Sequence, residues 1–273
     1  MNTRIDKEEQ DAESAFSTQS VAFDRLYSGN PIIQYKRDRV RSHLMRYARA
    51  GDHMLELNSG TGEDAIFFAK HHLRVHATDI SSGMQQVLVQ KVEESGMGKY
   101  ITNERCSFTR LDELMDQGPY DIIFSNFAGL NCTGRLDNVL SSCEALLKPG
   151  GFLTLVIMPP FCLWEFLMLF RGKLKTALRR SFTRKGVKAH LVDRQYFTCW
   201  YYQPAFVSKL LSKGFSVVDL EGLCTLVPPS YLEHFSVRYP RLYEFLKRKE
   251  AALKSKWPWR SIGDYYIITL RKR

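Results

Sequence analysis

From residue 31 onward, apolar positions fall first at helical and then at strand spacing. Residues 1–20 are polar and predict a loose segment in the absence of ligand. Between 31 and 49, Ile33, Val40, Leu44 and Tyr47 stand among arginines, a spacing that predicts a helix with one buried face. Pro31 suits its first turn, and Gly51-Asp52 stops it. Strands are then predicted at His53–Leu57, Leu73–Thr78, Cys106–Arg110 (weakly), Tyr120–Ser125 and Phe152–Met158. Helices are predicted at Gly62–Lys70, Ser81–Ser95 and Arg135–Leu147, with a turn at Lys148–Gly151.

Repeated strand–helix units of this length imply right-handed crossovers. The fold predicted is α/β: a doubly wound, mostly parallel seven-stranded sheet with helices on both faces and an antiparallel last strand. The alternation breaks after Pro159-Pro160 and resumes with a helix at Pro204–Ser212 and strands at Phe215–Leu220 and Tyr265–Leu270. This divides the chain into an N-terminal helical cap (1–50), a core (51–158), a lid insertion (159–202) and a completion of the core (203–273). A second insertion falls at 224–260.

A chain of 273 residues with 44% hydrophobic content buries a full core, and 12% aromatic content excludes a disordered chain. The net charge of +10 attracts anions without choosing among nucleic acid, acidic headgroups and small acids. The six cysteines form no C-x-x-C pair and have no zinc spacing, so they read as small buried thiols of a reducing cytoplasm, and no metal is expected. The N-terminus lacks an apolar signal region, and the run Met158–Phe170, interrupted by Glu165, is too short to cross a bilayer.

The most informative stretch is Leu55-Glu56-Leu57-Asn58-Ser59-Gly60-Thr61-Gly62-Glu63-Asp64-Ala65, a strand running into a tight turn and a helix. Glycines there let backbone approach a ligand, and the helix N-terminus presents free N–H groups. Asp79 ends the second strand, where a carboxylate accepts from ribose hydroxyls. Taken alone, the pattern also satisfies the dinucleotide fingerprint. Glu56 inside the first strand, the long preface before it, and Met84 placed for an adenine ring favour a different nucleoside. As structural alternatives, the loop is simply a strand–helix turn, Asp79 a helix cap and Phe127 core.

With ELNSGTGED, ATDISSGM, YDIIFSNFAGLN and LLKPGGFLTL, prefaced by VAFDRLYSG, the chain resembles the class I S-adenosylmethionine-dependent methyltransferase family over roughly residues 20–158. It departs at Asn58, where the family usually has the loop's first glycine; Asn tolerates positive φ better than most residues. The resemblance implies S-adenosylmethionine as cofactor and S-adenosylhomocysteine as product. It implies that Glu56 and the Asn58, Ser59, Gly60 and Gly62 backbone, with Asp64 nearby, hold the methionine part. Asp79 would bind the ribose, Ile80 and Met84 flank the adenine, and Leu111 and Asp112 lie at its edge. Asn126 and Phe127 would sit by the sulfonium methyl, and Tyr27 and Tyr35 close over the site.

Transfer from a sulfonium needs alignment and exclusion of water more than a protein nucleophile. A hydroxyl or acidic-carbon acceptor also needs a base. His190, Glu165, Tyr202, His234 and Asp264 are candidates with ordinary structural alternatives, and no catalytic residue is assigned. The apolar run Phe161–Phe170 precedes a stretch, 171–188, with eight basic residues and no acid. The two predict a substrate lid, walling a pocket for an aromatic or lipid-like, anionic small molecule. A buried helix with a solvated basic face weighs equally.

Peripheral contact with an anionic membrane is a second use of this segment. RNA methylation is another, with Trp200, Tyr201 and Tyr202 to stack bases, but no RNA-binding module is present. The competing classes are an NAD(P)-dependent oxidoreductase, with Tyr243 and Lys247 at Y-x-x-x-K spacing, and a non-catalytic nucleoside-binding protein.

Overall fold

The computed structural model describes residues 3–172, 174, 178–180, 186–190 and 196–273. Strands β1 (His53–Leu57), β2 (Arg74–Asp79), β3 (Ile101–Arg105), β4 (Tyr120–Ser125) and β5 (Leu147–Ile157) run parallel in the order β3-β2-β1-β4-β5. In the insertion, β6 (Val187–His190) and β7 (Tyr196–Cys199) form a separate antiparallel ribbon. Strand β9 (Tyr265–Lys272) pairs antiparallel with β5 and with β8 (Phe215–Leu223), which ends the sheet. The seven-stranded sheet, with its last strand reversed, is the one predicted.

Alternation along the strands builds two cores. On one face Met54, Val75 and Phe124 meet α2 (Pro31–Leu44), α3 (Glu63–Lys70) and α4 (Ser82–Ser95) through Leu44, Phe68 and Leu88. On the other, Leu55, Ile123 and Leu155 meet α5 (Leu136–Leu146), then α6 (Leu163–Leu167) follows in sequence, and α7 (Pro204–Leu210) adds Val207 to this layer. Asn30 caps α2, its Oδ1 accepting from Ile32 N at 2.9 Å.

Two expectations change. Residues 3–28 are not loose but form one helix, α1 (Thr3–Ser28). Ala12, Ala15 and Phe16 give it a narrow apolar stripe, and Phe16 packs 5.8 Å from Phe197 of the ribbon. Polar ties fix it to α4: Ser17 Oγ lies 2.8 Å from Ser81 Oγ, and Lys91 Nζ 2.8 Å from Asp24 Oδ2. The third strand is Ile101–Arg105 rather than Cys106–Arg110. It is an edge strand paired with β2 only, so ITNER need not be apolar.

The basic run lies partly outside the described residues, but Arg180 within it turns inward. Arg180 is buried, and its Nη2 lies 2.7 Å from both Glu165 Oε1 and Asp264 Oδ1. Arg179 pairs with Glu165 as well. In the second insertion, α8 (His234–Arg238) and α9 (Pro240–Leu253) follow a loop held by one carboxylate. Glu250 accepts the backbone N–H groups of Cys224, Thr225, Leu226 and Val227 at 2.8–2.9 Å. It also accepts from Tyr35 Oη at 3.0 Å. Tyr243 is buried on α9 and Lys247 pairs with Glu244, so the Y-x-x-x-K spacing is a helix face.

Candidate active site

The sheet order reverses between β1 and β4, and at such a point the carboxyl ends of parallel strands open a crevice. A cavity lies there. Glu56, Asn58, Ser59 and Gly60 line it from β1 and the following loop. Asp79, Ile80 and Met84 contribute from the end of β2 and the start of α4, and Asp64, Asn126 and Phe127 complete its wall.

Glu56 is only 2% exposed, and its Oε2 has no hydrogen-bond partner. Burial, and then the neighbouring Asp64 carboxylate, push its pKa well above the usual carboxylate range. Ser59 Oγ is buried without a partner too. Asp79 takes part in the turn itself: Oδ2 accepts from Gly60 N at 2.9 Å and Oδ1 from Ser81 N at 2.8 Å. Burial raises its pKa although these two donors oppose the shift. Asp64 is held by Arg41 Nε at 2.7 Å and accepts from Asn126 Nδ2 at 2.6 Å.

Asn58 adopts a φ of 46°, as a residue standing in for glycine must. Its amide ties two loops together, donating to Asn126 O at 2.9 Å and accepting from Ser125 Oγ at 2.6 Å. A Cβ on Gly129 would stand 2.2 Å from Asn58 Cγ, so that side chain fills the space glycine leaves. Phe127 (φ 43°) and Ala128 (φ 62°) also occupy the left-handed region, which costs on the order of 1 kcal/mol or more each. Strain of this kind marks the end of β4 as a built feature.

The remaining expected residues lie elsewhere. Gly62 is the αL cap of α3 at φ 79°, behind the cavity wall, where a Cβ would meet Leu88 Cγ at 2.8 Å. Gly62→Ala is therefore expected to lower stability by about 2 kcal/mol in urea unfolding; a change within 0.5 kcal/mol, roughly the effect of a neutral surface substitution, would count against this packing. Leu111 is fully buried in the core, and Asp112 is exposed in a short 3-10 turn. Ser107 and Phe108 line the cavity instead, β3 ending five residues earlier than predicted. Tyr35 faces α9 through Glu250 and Arg39, away from the cavity.

Tyr27 lines a second cavity. Phe16, Phe23, Arg37, Phe127, Gly129 and Cys132 are shared by the two, so the cavities adjoin. Sequence reasoning missed Arg37, which is 8% exposed, pairs with Glu63 at 3.3 Å and keeps a buried, unpartnered Nε. It missed Phe16 because residues 1–20 were read as loose, and Phe23 because the preface VAFDRLYSG drew attention only to Tyr27.

Of the candidate bases, Glu165 and Asp264 are held by Arg180. Tyr202 donates its hydroxyl to Thr133 O, and His234 is 92% exposed at its side chain beside Glu233. The side chain of His190 lies outside the described residues. Tyr201 is buried, and Trp200 N donates to Asn131 O at 2.7 Å, so this segment is built into the protein. All six cysteines are free. Among the described residues no helix is long and apolar enough to cross a membrane.

Residues 54–151 match a protein family described as a methyltransferase domain. No curated protein matches the sequence. Among solved structures, the chain is similar to a Burkholderia thailandensis 1,6-didemethyltoxoflavin-N1-methyltransferase with its substrate and S-adenosylhomocysteine bound. The TM-score is 0.58 at 14% identity, covering 98% of this chain and 90% of that one. It is also similar to a geranyl diphosphate C-methyltransferase from Streptomyces coelicolor A3(2), with a TM-score of 0.56 at 13% identity over 87% and 79% of the two chains. A third neighbour, the [4+2]-cyclase SpnF, has a TM-score of 0.55 at 17% identity over 86% and 80%. At these identities the likeness is one of fold, and the cyclase is a reminder that fold alone does not fix chemistry. Residues 54–151 thus match a methyltransferase domain, and the sheet order that carries the glycine loop and Asp79 gives the chain the fold of these solved neighbours.

Proposed function

We propose that the chain methylates a small organic acceptor held in the second cavity, with S-adenosylmethionine in the first. The observation that carries this is Glu56: a carboxylate oxygen buried in a cavity wall without a partner asks for a cationic group, and the cofactor's α-ammonium is one. Arg37, with its free buried Nε, suits the carboxylate at the same end. The loop backbone at Asn58–Gly60 closes against the methionine part, Asp79 takes the ribose hydroxyls, and Ile80, Met84 and Phe108 enclose the adenine. When bound, the cofactor supplies an electrophilic methyl that needs no further activation.

Everything else falls to positioning. Asn126 and Phe127 end β4 between the two cavities and set where an acceptor atom meets the methyl. Phe16 and Phe23 of α1 wall both chambers and exclude water. The second cavity is aromatic, with Tyr27, Phe197 and Tyr265 added to the shared phenylalanines, which suits an organic ring or chain better than a polynucleotide. The small-molecule ligands of two structural neighbours support the same reading.

Calorimetry is the direct test. S-adenosylhomocysteine is expected to bind and NAD not to bind; NAD binding with no response to the homocysteine nucleoside would overturn the assignment. Cofactor binding without label transfer to any component of a small-molecule extract would favour a non-catalytic protein.

A further inference from the structure

The second cavity holds one cation that the cofactor cavity does not share, Lys36. It is 3% exposed, with Nζ 3.1 Å from Ser230 Oγ and 3.7 Å from Asp264 Oδ2. It lies 4.7 Å from the ring centroid of Tyr265 and 5.7 Å from that of Phe127, the residue at the junction of the two cavities. Its nearest carboxylate is already shared. Asp264 is bound more closely by Arg180, at 2.7 Å, and Arg180 and Arg179 both hold Glu165. Arg179 is half exposed and meets solvent, so within the buried part of this network Lys36 is the cation held least closely, its one carboxylate lying 3.7 Å away. A buried ammonium so loosely paired, facing a cavity, retains the capacity to take an anionic ligand.

The same cavity holds no group suited to removing a proton. Among the described residues, its lining has no carboxylate and no histidine. Burial pushes the Tyr265 phenol up to about 12 and the Cys199 thiol to about 11, and raises the Cys132 thiol further. Burial acts to lower the pKa of Lys36, but Tyr265 and Asp264 outweigh it and keep the ammonium charged. A neutral acceptor that must lose a proton before attack finds nothing here to take it.

We propose that the acceptor is an oxyanion, such as a carboxylate or an acidic enol or phenol on an apolar body, and that Lys36 binds it. This rests on the methyltransferase reading above and narrows its substrate class. The acceptor arrives ionised; its oxygen forms a bond to the methyl carbon as the carbon–sulfur bond breaks. The electron pair passes to sulfur, the positive and negative charges cancel, and no proton moves. Lys36 selects and orients the anion, and the surrounding rings hold its body.

The test compares aromatic and medium-chain carboxylates with their primary amides, titrated into protein saturated with S-adenosylhomocysteine. Acids are expected to bind about tenfold or more tighter than amides, the worth of a charge-assisted hydrogen bond in a desolvated site. Lys36→Met should abolish that preference, Lys36→Arg should restore part of it, and the homocysteine nucleoside should bind all three proteins alike. Equal binding of acids and amides to wild type, no binding of any acid at millimolar concentration, or a preference that survives Lys36→Met would each overturn the proposal. Loss of nucleoside binding in wild type would instead remove the methyltransferase reading beneath it.

Discussion

Glu56→Gln is expected to stabilise the unliganded protein while lowering its affinity for S-adenosylhomocysteine by about 100-fold. The two effects share one cause. An amide of the same shape has no charge to desolvate, and replacing a buried, uncompensated ion commonly stabilises by about 1 kcal/mol or more. The amide also loses the charge-assisted bond to an ammonium, worth about 1.5–3 kcal/mol. The gain in stability depends on pH. The folded-state pKa of Glu56 lies above its unfolded value, so the folded protein holds this proton longer than the unfolded chain. Its contribution is therefore fully present in acid and is lost as pH rises from about 4.3 through the raised folded value. Unfolding curves of wild type and variant should converge at low pH and separate above it, with the variant the more stable. A variant less stable than wild type at mildly alkaline pH, with undiminished nucleoside affinity, would show that Glu56 has a structural partner instead.

A second large effect belongs to Glu250. Four backbone N–H groups of residues 224–227, the Tyr35 hydroxyl and Arg39 all converge on its buried carboxylate. Glu250→Ala leaves those donors unmet and is expected to cost about 3–5 kcal/mol, a large share of the stability of an ordinary domain. Equilibrium urea unfolding measures it, with Glu250→Gln falling between. A loss below about 1 kcal/mol would mean that water satisfies the loop as well as the carboxylate does.

Much of the sheet was legible because parallel strands buried on both faces are continuous apolar runs, as YDIIFS and FLTLVI are. ITNER hid because an edge strand lacks that requirement, and the error carried forward: Ser107 and Phe108 line the cavity, whereas Leu111 and Asp112 do not. The glycine loop, Glu56 and Asp79 were readable because few other roles place an acid inside a buried strand and small residues beyond it. Tyr35, Lys36 and Arg37 were not separable by sequence: successive helix residues point about 100° apart, so one faces α9 while its two neighbours face the cavities. Basic residues on a helix ordinarily read as solvated, and nothing local says that these two are buried. Helix α1 escaped because its stripe is narrow and most of its ties to the core are polar.

That helix also couples the two chambers. Phe16 and Phe23 wall both chambers, and Asp24 bonds to Thr61 at 2.6 Å at the rim of the glycine loop. One helix thus forms a common wall of the two chambers and is tied to the loop that lines the first. A loss of those contacts would open both chambers at once, because the same two rings close each of them.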